Sequence, residues 1–181
     1  SSKNCSRPET RIIEARKTPM IPVVKTLTAK KLIGQRINTS FSENRTVELW
    51  RNFMPRRKEI QYTVNADLIS MQVYHDFPDF SIYNPALAFD KWAAVEVSSF
   101  DHIPEGMETF TIPGGLYAVF VHKGGPANAA ESFGYIFGSW LPASDFEADH
   151  RPHFEILGEK YKNNDPDSEE EIWIPIKPKR S

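Results

Sequence analysis

Cysteine is almost absent. Cys5 is the single one in the chain, so no internal disulfide can form. That excludes a disulfide-stapled secreted scaffold and suits a reducing, cytoplasmic compartment. Long apolar runs are missing as well: none approaches the ~20 residues a helix needs to span a bilayer, so no membrane partner is expected. Nor is a signal peptide visible. Positive charge is not in excess, because 22 Lys and Arg stand against 24 Asp and Glu, for a net charge of -2. Such a chain has no general attraction for a phosphate backbone, and direct nucleic-acid binding is not expected.

Recognised catalytic and metal patterns are lacking too. Gly114-Gly115 and Gly124-Gly125 are turn pairs outside any dinucleotide or phosphate-loop spacing. Ser139 and Ser144 have no nucleophile-elbow context. His150 and His153 are ligand types without a supporting Cys, His or Asp cluster, and are read as turn and strand-start residues. No metal or cofactor is expected. His122 and His153 are poor candidates for haem ligands. The acidic run Asp165–Glu171 lacks the glycine and spacing of a calcium loop and reads as a hairpin connection.

What is present is periodic. Residues 1–20, polar and basic with Pro8 and Pro19, are expected to form a flexible tail, and residues 21–181 a single domain. Strand patterns occupy Val23–Leu27, Lys31–Ile37, Ile69–Tyr74, Lys91–Val97, Glu108–Ile112, Leu116–Lys123, a strand around Glu155, and Glu171–Lys177. Val47, Leu49, Trp50, Phe53 and Met54 recur at helical spacing from about Arg45, and Pro55 should end that helix. A second helix carries Ala130, Phe133, Ile136, Phe137, Trp140 and Leu141 on one side, with Pro142 ending it. Gly134 and Gly138 are expected to permit close packing there.

The order strand, helix, strand, strand occurs twice, at a repeat near 80 residues. This predicts an α+β fold of two pseudo-symmetric β-α-β-β modules with antiparallel sheets, about 21–100 and 108–178. Each sheet would bury one face under its helix and turn the other toward its partner, leaving a central ligand cleft. Side chains alternate along strands. Phe154 and Ile156 are then core, and Glu155 projects from the opposite face, into the cleft. The same reasoning lines the cleft with Tyr74, Trp92, Glu96 and Trp173. Either the Leu116, Ala118, Phe120 set or the Tyr117, Val119, Val121 set joins them, and the sequence leaves that choice open. Trp140 stands at the rim. Aromatic walls with one or two acids suit a hydrophobic, cationic molecule.

Four stretches occur in order: Gly115-Leu-Tyr-Ala-Val-Phe-Val-His-Lys-Gly124, Trp140-Leu-Pro-Ala-Ser144, Arg151-Pro-His-Phe-Glu155 and Glu171-Ile-Trp-Ile-Pro-Ile176. In these the chain resembles the gyrase-inhibitor-like, AraC/MerR-type effector-binding family. The resemblance implies two modules around a central cleft, binding diverse cationic or aromatic small molecules as a transcription effector-binding or drug-sequestering protein. It puts the pocket acid at Glu155 and a pocket aromatic at Trp140. Full regulators of this family carry an N-terminal helix-turn-helix module. There is no room for one before Val23, so a stand-alone small-molecule-binding protein is expected. Two alternatives come with the resemblance. One is a hydrolase of strained cyclopropane-type electrophiles, with Glu155 as general acid/base beside Tyr117 or Trp140. The other is an inhibitor of a larger enzyme such as DNA gyrase.

Overall fold

Strand β1 (Val23–Leu27) does not pair within its own half of the chain. In the computed structural model, which describes residues 20–125, 128–162 and 165–180, it lies antiparallel to β6 (Gly115–Lys123). The fifth strand, β5 (Glu108–Ile112), reciprocally joins β2 (Lys30–Thr39) of the first half. The remaining strands are β3 (Leu68–Val73), β4 (Phe89–Glu96), β7 (Phe146–Ala148), β8 (His153–Leu157) and β9 (Glu169–Pro178). The main sheet runs β1-β6-β9-β8-β3-β4-β2-β5, with β7 on β9. This order is a pseudo-palindrome about the β8–β3 seam: β1 matches β5, β6 matches β2, β9 matches β4 and β8 matches β3. The α+β class holds. The division at about residue 100 is corrected, because the two modules exchange their first strands and share one sheet.

Helix α1 (Thr46–Phe53) continues into a 3-10 turn, Met54–Glu59. Pro55 has no N–H to donate, so the tighter turn replaces regular helix there. Leu49 and Phe53 face the sheet and join Ile33, Ala93, Val95 and Val97 in one buried cluster. Helix α2 (Ala129–Tyr135) runs into a π turn, Ile136–Trp140, and a final turn, Leu141–Ala143. Ile136 packs there on Ala118, Phe120, Ile172, Ile174 and Ile176. Gly134 and Gly138 are exposed, and a Cβ on either would meet nothing within 4 Å, so the expected close packing does not occur. Gly34 is the glycine the packing does require: a Cβ there would lie 2.1 Å from the Ala93 carbonyl oxygen.

The face of the sheet away from the helices is also buried. Leu32, Ile69, Met71, Trp92 and Ala94 from one half meet Tyr117, Val119, Phe154 and Trp173 from the other in a single cluster. The ring planes of Phe154 and Trp173 stack at 5.3 Å, and Tyr117 abuts both at 5.4 and 5.8 Å. The halves do cover each other as anticipated, but side chains fill the space between them. Among the described residues the non-helical faces therefore enclose a packed core.

Candidate functional site

Register decides where Glu155 points. It pairs with Ser70 on β3 and Ile172 on β9, and Ser70 pairs in turn with Ala93 on β4. Directly paired residues of neighbouring strands project to the same side. Ile172 and Ala93 both lie in the clusters beneath the helices, so Glu155 rises on the helix side. Phe154 and Ile156 belong to the opposite core. The alternation read from the sequence is correct, but the assignment of its two faces is reversed.

Helix α1 packs on β2 and β4, and α2 with its π turn covers the β6–β9 cluster. The central strands β3 and β8 lie between these two supports and form the floor of a channel. The strip along that floor is polar: Ser70, Gln72, His153 and Glu155. Beside it stand Lys91, in the alternation of Ala93, and Glu170, opposite His122 and in the alternation of Ile172. Lys91, His122 and His153 are buried, at 8%, 1% and 5% exposure. The Gln72 amide is best oriented with its nitrogen donating to the His153 carbonyl at 3.1 Å and its oxygen accepting from Lys91 Nζ.

Among the described residues, no hydrogen bond or salt bridge engages the Glu155 carboxylate. Burial pushes its pKa up, opposed by the charges of Lys91 and His122. Burial, and then the negative charge of Glu155, raise Glu170 to about 7 against the pull of Lys91. Burial lowers Lys91, and both acids oppose that. His153 is driven down to about 3, mainly by burial, so it presents a neutral ring. Tyr74 is held at about 12, by burial and then by Glu155, so its hydroxyl stays protonated.

The segment after β3 closes the channel. Phe80 folds inward with its ring 4.6 Å from His153, 5.1 Å from Tyr74 and stacked at 5.1 Å on Phe137 of the π turn. On its outer side an open groove of about 470 Å³ runs between Phe77, Phe80, Phe137, Leu141 and Phe146, with Lys177 and Lys179 at one edge. Phe80 thus stands between the polar strip that carries His153 and the outer aromatic groove.

Arg151 fastens the start of β8. Its guanidinium donates to the carbonyls of Leu116 (2.7 Å) and Ile176 (3.1 Å) and to Asp149 (2.9 Å), and lies over the Tyr117 ring at 4.7 Å. The Tyr117 hydroxyl donates to the Pro152 carbonyl at 3.3 Å. The Arg151-Pro-His-Phe-Glu155 stretch is in this sense an anchor that sets the height of Glu155.

Of the residues expected to surround a ligand, only Tyr74 and Glu155 come together on the channel floor. Trp92, Tyr117 and Trp173 are corrected to the opposite core. Glu96 lies on that side too and pairs with Lys30 at 3.0 Å. Phe120 is sealed beneath α2, where Trp140 meets it edge-on at 5.2 Å, and neither is among the channel-floor or groove residues. Sequence reasoning passed over Lys91, Glu170, Phe80 and Phe137. Two of these were visible as anomalies: Lys91 and Glu170 each continue the alternation of an otherwise apolar strand face. Phe80 had no such signal, because a loop aromatic has no periodicity. Among the described residues no cluster of three His, Cys, Asp or Glu could hold a metal, and no helix is long and apolar enough to cross a membrane.

Comparison with known proteins agrees with this architecture. The chain is 33% identical over 130 residues to the transcriptional regulator BrlR of Pseudomonas aeruginosa, which covers 71% of this chain. The match spans only 45% of the regulator's own length. The structure of SAV2435 bound to tetraphenylphosphonium superposes with a TM-score of 0.68 at 15% identity, covering 87% of this chain and 94% of that one. An integron cassette protein from Vibrio cholerae superposes with a TM-score of 0.61 at 15% identity, covering 86% and 95%. At such identities the superpositions establish the gyrase-inhibitor-like effector-binding fold alone. A family model described as integron-associated effector binding protein (Cass2) matches residues 24–176, and the chain belongs to that family.

Proposed function

We propose that this effector-binding domain captures a hydrophobic cation in the channel between its two helices, with Glu155 as the charge partner. The observation that carries the reading is the Glu155 carboxylate itself. It is largely enclosed, it has no hydrogen bond or salt bridge among the described residues, and it sits on the floor of an aromatic-walled channel. An unpaired buried acid costs free energy that a cationic ligand would recover. The rings of Tyr74 and Phe137 offer cation–π faces, worth ~0.5–2 kcal/mol each, and neutral His153 adds a ring without a competing charge. Phe80 must swing aside for a ligand to pass from the outer groove to Glu155. The tetraphenylphosphonium held by SAV2435 combines one positive charge with apolar rings, the chemistry this channel suits.

Calorimetric titration with tetraphenylphosphonium and with neutral triphenylphosphine oxide tests the proposal. Glu155→Gln is expected to weaken the cation by about 10- to 100-fold, on the order of 1.4–2.8 kcal/mol, and the neutral compound by far less. Equal losses for both would refute it. Recovery of chemically unchanged ligand distinguishes capture from hydrolysis.

A further inference from the structure

The proposed ligand site contains a built-in cation of its own. Glu155 and Glu170 stand on the helix side of β8 and β9, one strand apart. Lys91 stands on the same side of β4, in the row of Gln72 and His153 that borders the row of Ser70 and Glu155. Its stem is buried, and its ammonium meets the amide of Gln72, its direct partner on neighbouring β3. The other charged or titratable groups that act on this cluster are His122 from β6, and Tyr74 and Tyr161 from the flanking loops. The His122 ring is engaged by Ser132 Oγ at 2.6 Å and the Gly125 carbonyl at 3.4 Å, so it is held away from a salt bridge with either acid.

Resting on the proposed function above, we infer that Lys91 sets the charge of the ligand: it offsets one carboxylate of the Glu155–Glu170 pair, leaving the site matched to a single positive charge. Partial burial makes this count consequential, because water screens an uncompensated charge there only weakly. A dication would meet one acid and one repelling ammonium. Removal of Lys91 would present two acids with no internal partner, and the preferred ligand would become dicationic. Both acids respond to Lys91, and Lys91 to both.

Ethidium and propidium form a suitable probe pair, since they share a phenanthridinium ring and carry one and two positive charges. The native protein is expected to bind ethidium at least as tightly as propidium. In Lys91→Met the ratio of affinities should shift toward propidium by about tenfold or more. Lys91→Gln, which keeps a polar end for Gln72, should shift it in the same direction. The double variant Lys91→Met/Glu170→Gln restores a single net negative charge and should return the native preference, which a merely structural role for Lys91 would not produce. An unmoved ratio in folded Lys91 variants, or a double variant that still favours propidium, overturns the inference while leaving the ligand site standing. Should the single Lys91 variants fail to fold, Glu170→Gln decides: it leaves Lys91 facing Glu155 alone and should weaken both dyes, propidium the more, and an unmoved ratio overturns the inference. A native preference for propidium also overturns the charge count. If native protein binds neither dye nor tetraphenylphosphonium, the proposed function falls, and this inference with it.

Discussion

Raising the pH from 5 to 7 should tighten tetraphenylphosphonium binding, and the structure sets both sign and ceiling. In the free protein, burial raises the pKa of Glu155, and Glu170 sits at about 7 instead of the ordinary 4.5. A cation in the channel favours the ionised carboxylates and lowers those values. Binding therefore releases a proton wherever the pH lies below the free and above the bound pKa. One released proton makes the dissociation constant fall tenfold per pH unit, about 1.4 kcal/mol. For Glu170 the window runs from roughly 4.5 to about 7, and the gain should level off above it. Glu155→Gln and Glu170→Gln should each flatten the slope. Calorimetry in two buffers of different ionisation enthalpy counts the protons directly. A flat affinity between pH 5 and 7, or proton uptake on binding, would refute the reasoning. In the free protein the stability contributed by Glu170 is fully present below about 4.5 and is lost as the pH rises toward 7, whereas His153, neutral in the native state down to about 3, contributes with the opposite sign below 6.5, so the Glu170 share is read as the difference between the native protein and Glu170→Gln.

Phe80→Ala removes a ring that occupies the channel mouth and should tighten tetraphenylphosphonium binding by about five- to tenfold, with a small change in denaturation midpoint. Weaker binding would recast Phe80 as a wall of the site. Trp173→Ala empties part of the closed core between the two halves and should cost about 3–5 kcal/mol in urea unfolding, with no specific effect on the affinity of the folded fraction. Gly34→Ala forces a Cβ into the Ala93 carbonyl across the β2–β4 pair. It should destabilise the protein by about 1–3 kcal/mol, measured as a lowered unfolding midpoint.

The local elements were legible because their causes are local. Alternation in Lys91–Val97 and Leu116–Lys123 follows from side chains on opposite faces of a strand. The helix ending near Met54 follows from the proline after it. β7 was missed, since three partly buried residues flanked by polar ones leave no period to read. The π turn was missed because a one-residue expansion of a helix leaves apolar spacing almost unchanged.

Much of this protein was therefore determined by sequence alone: an antiparallel α+β repeat and the alternation that sets Glu155 apart from Phe154. Tertiary structure decided which face is which. Alternation states only that two sides differ, and either side of a sheet can be covered by a helix or by the other half of the molecule. Here Trp92, Tyr117, Phe154 and Trp173, drawn from both halves, join one buried cluster on the face away from the helices. The two helices stand apart over the outer strands, and Glu155, Glu170 and Lys91 are left together along the seam between them.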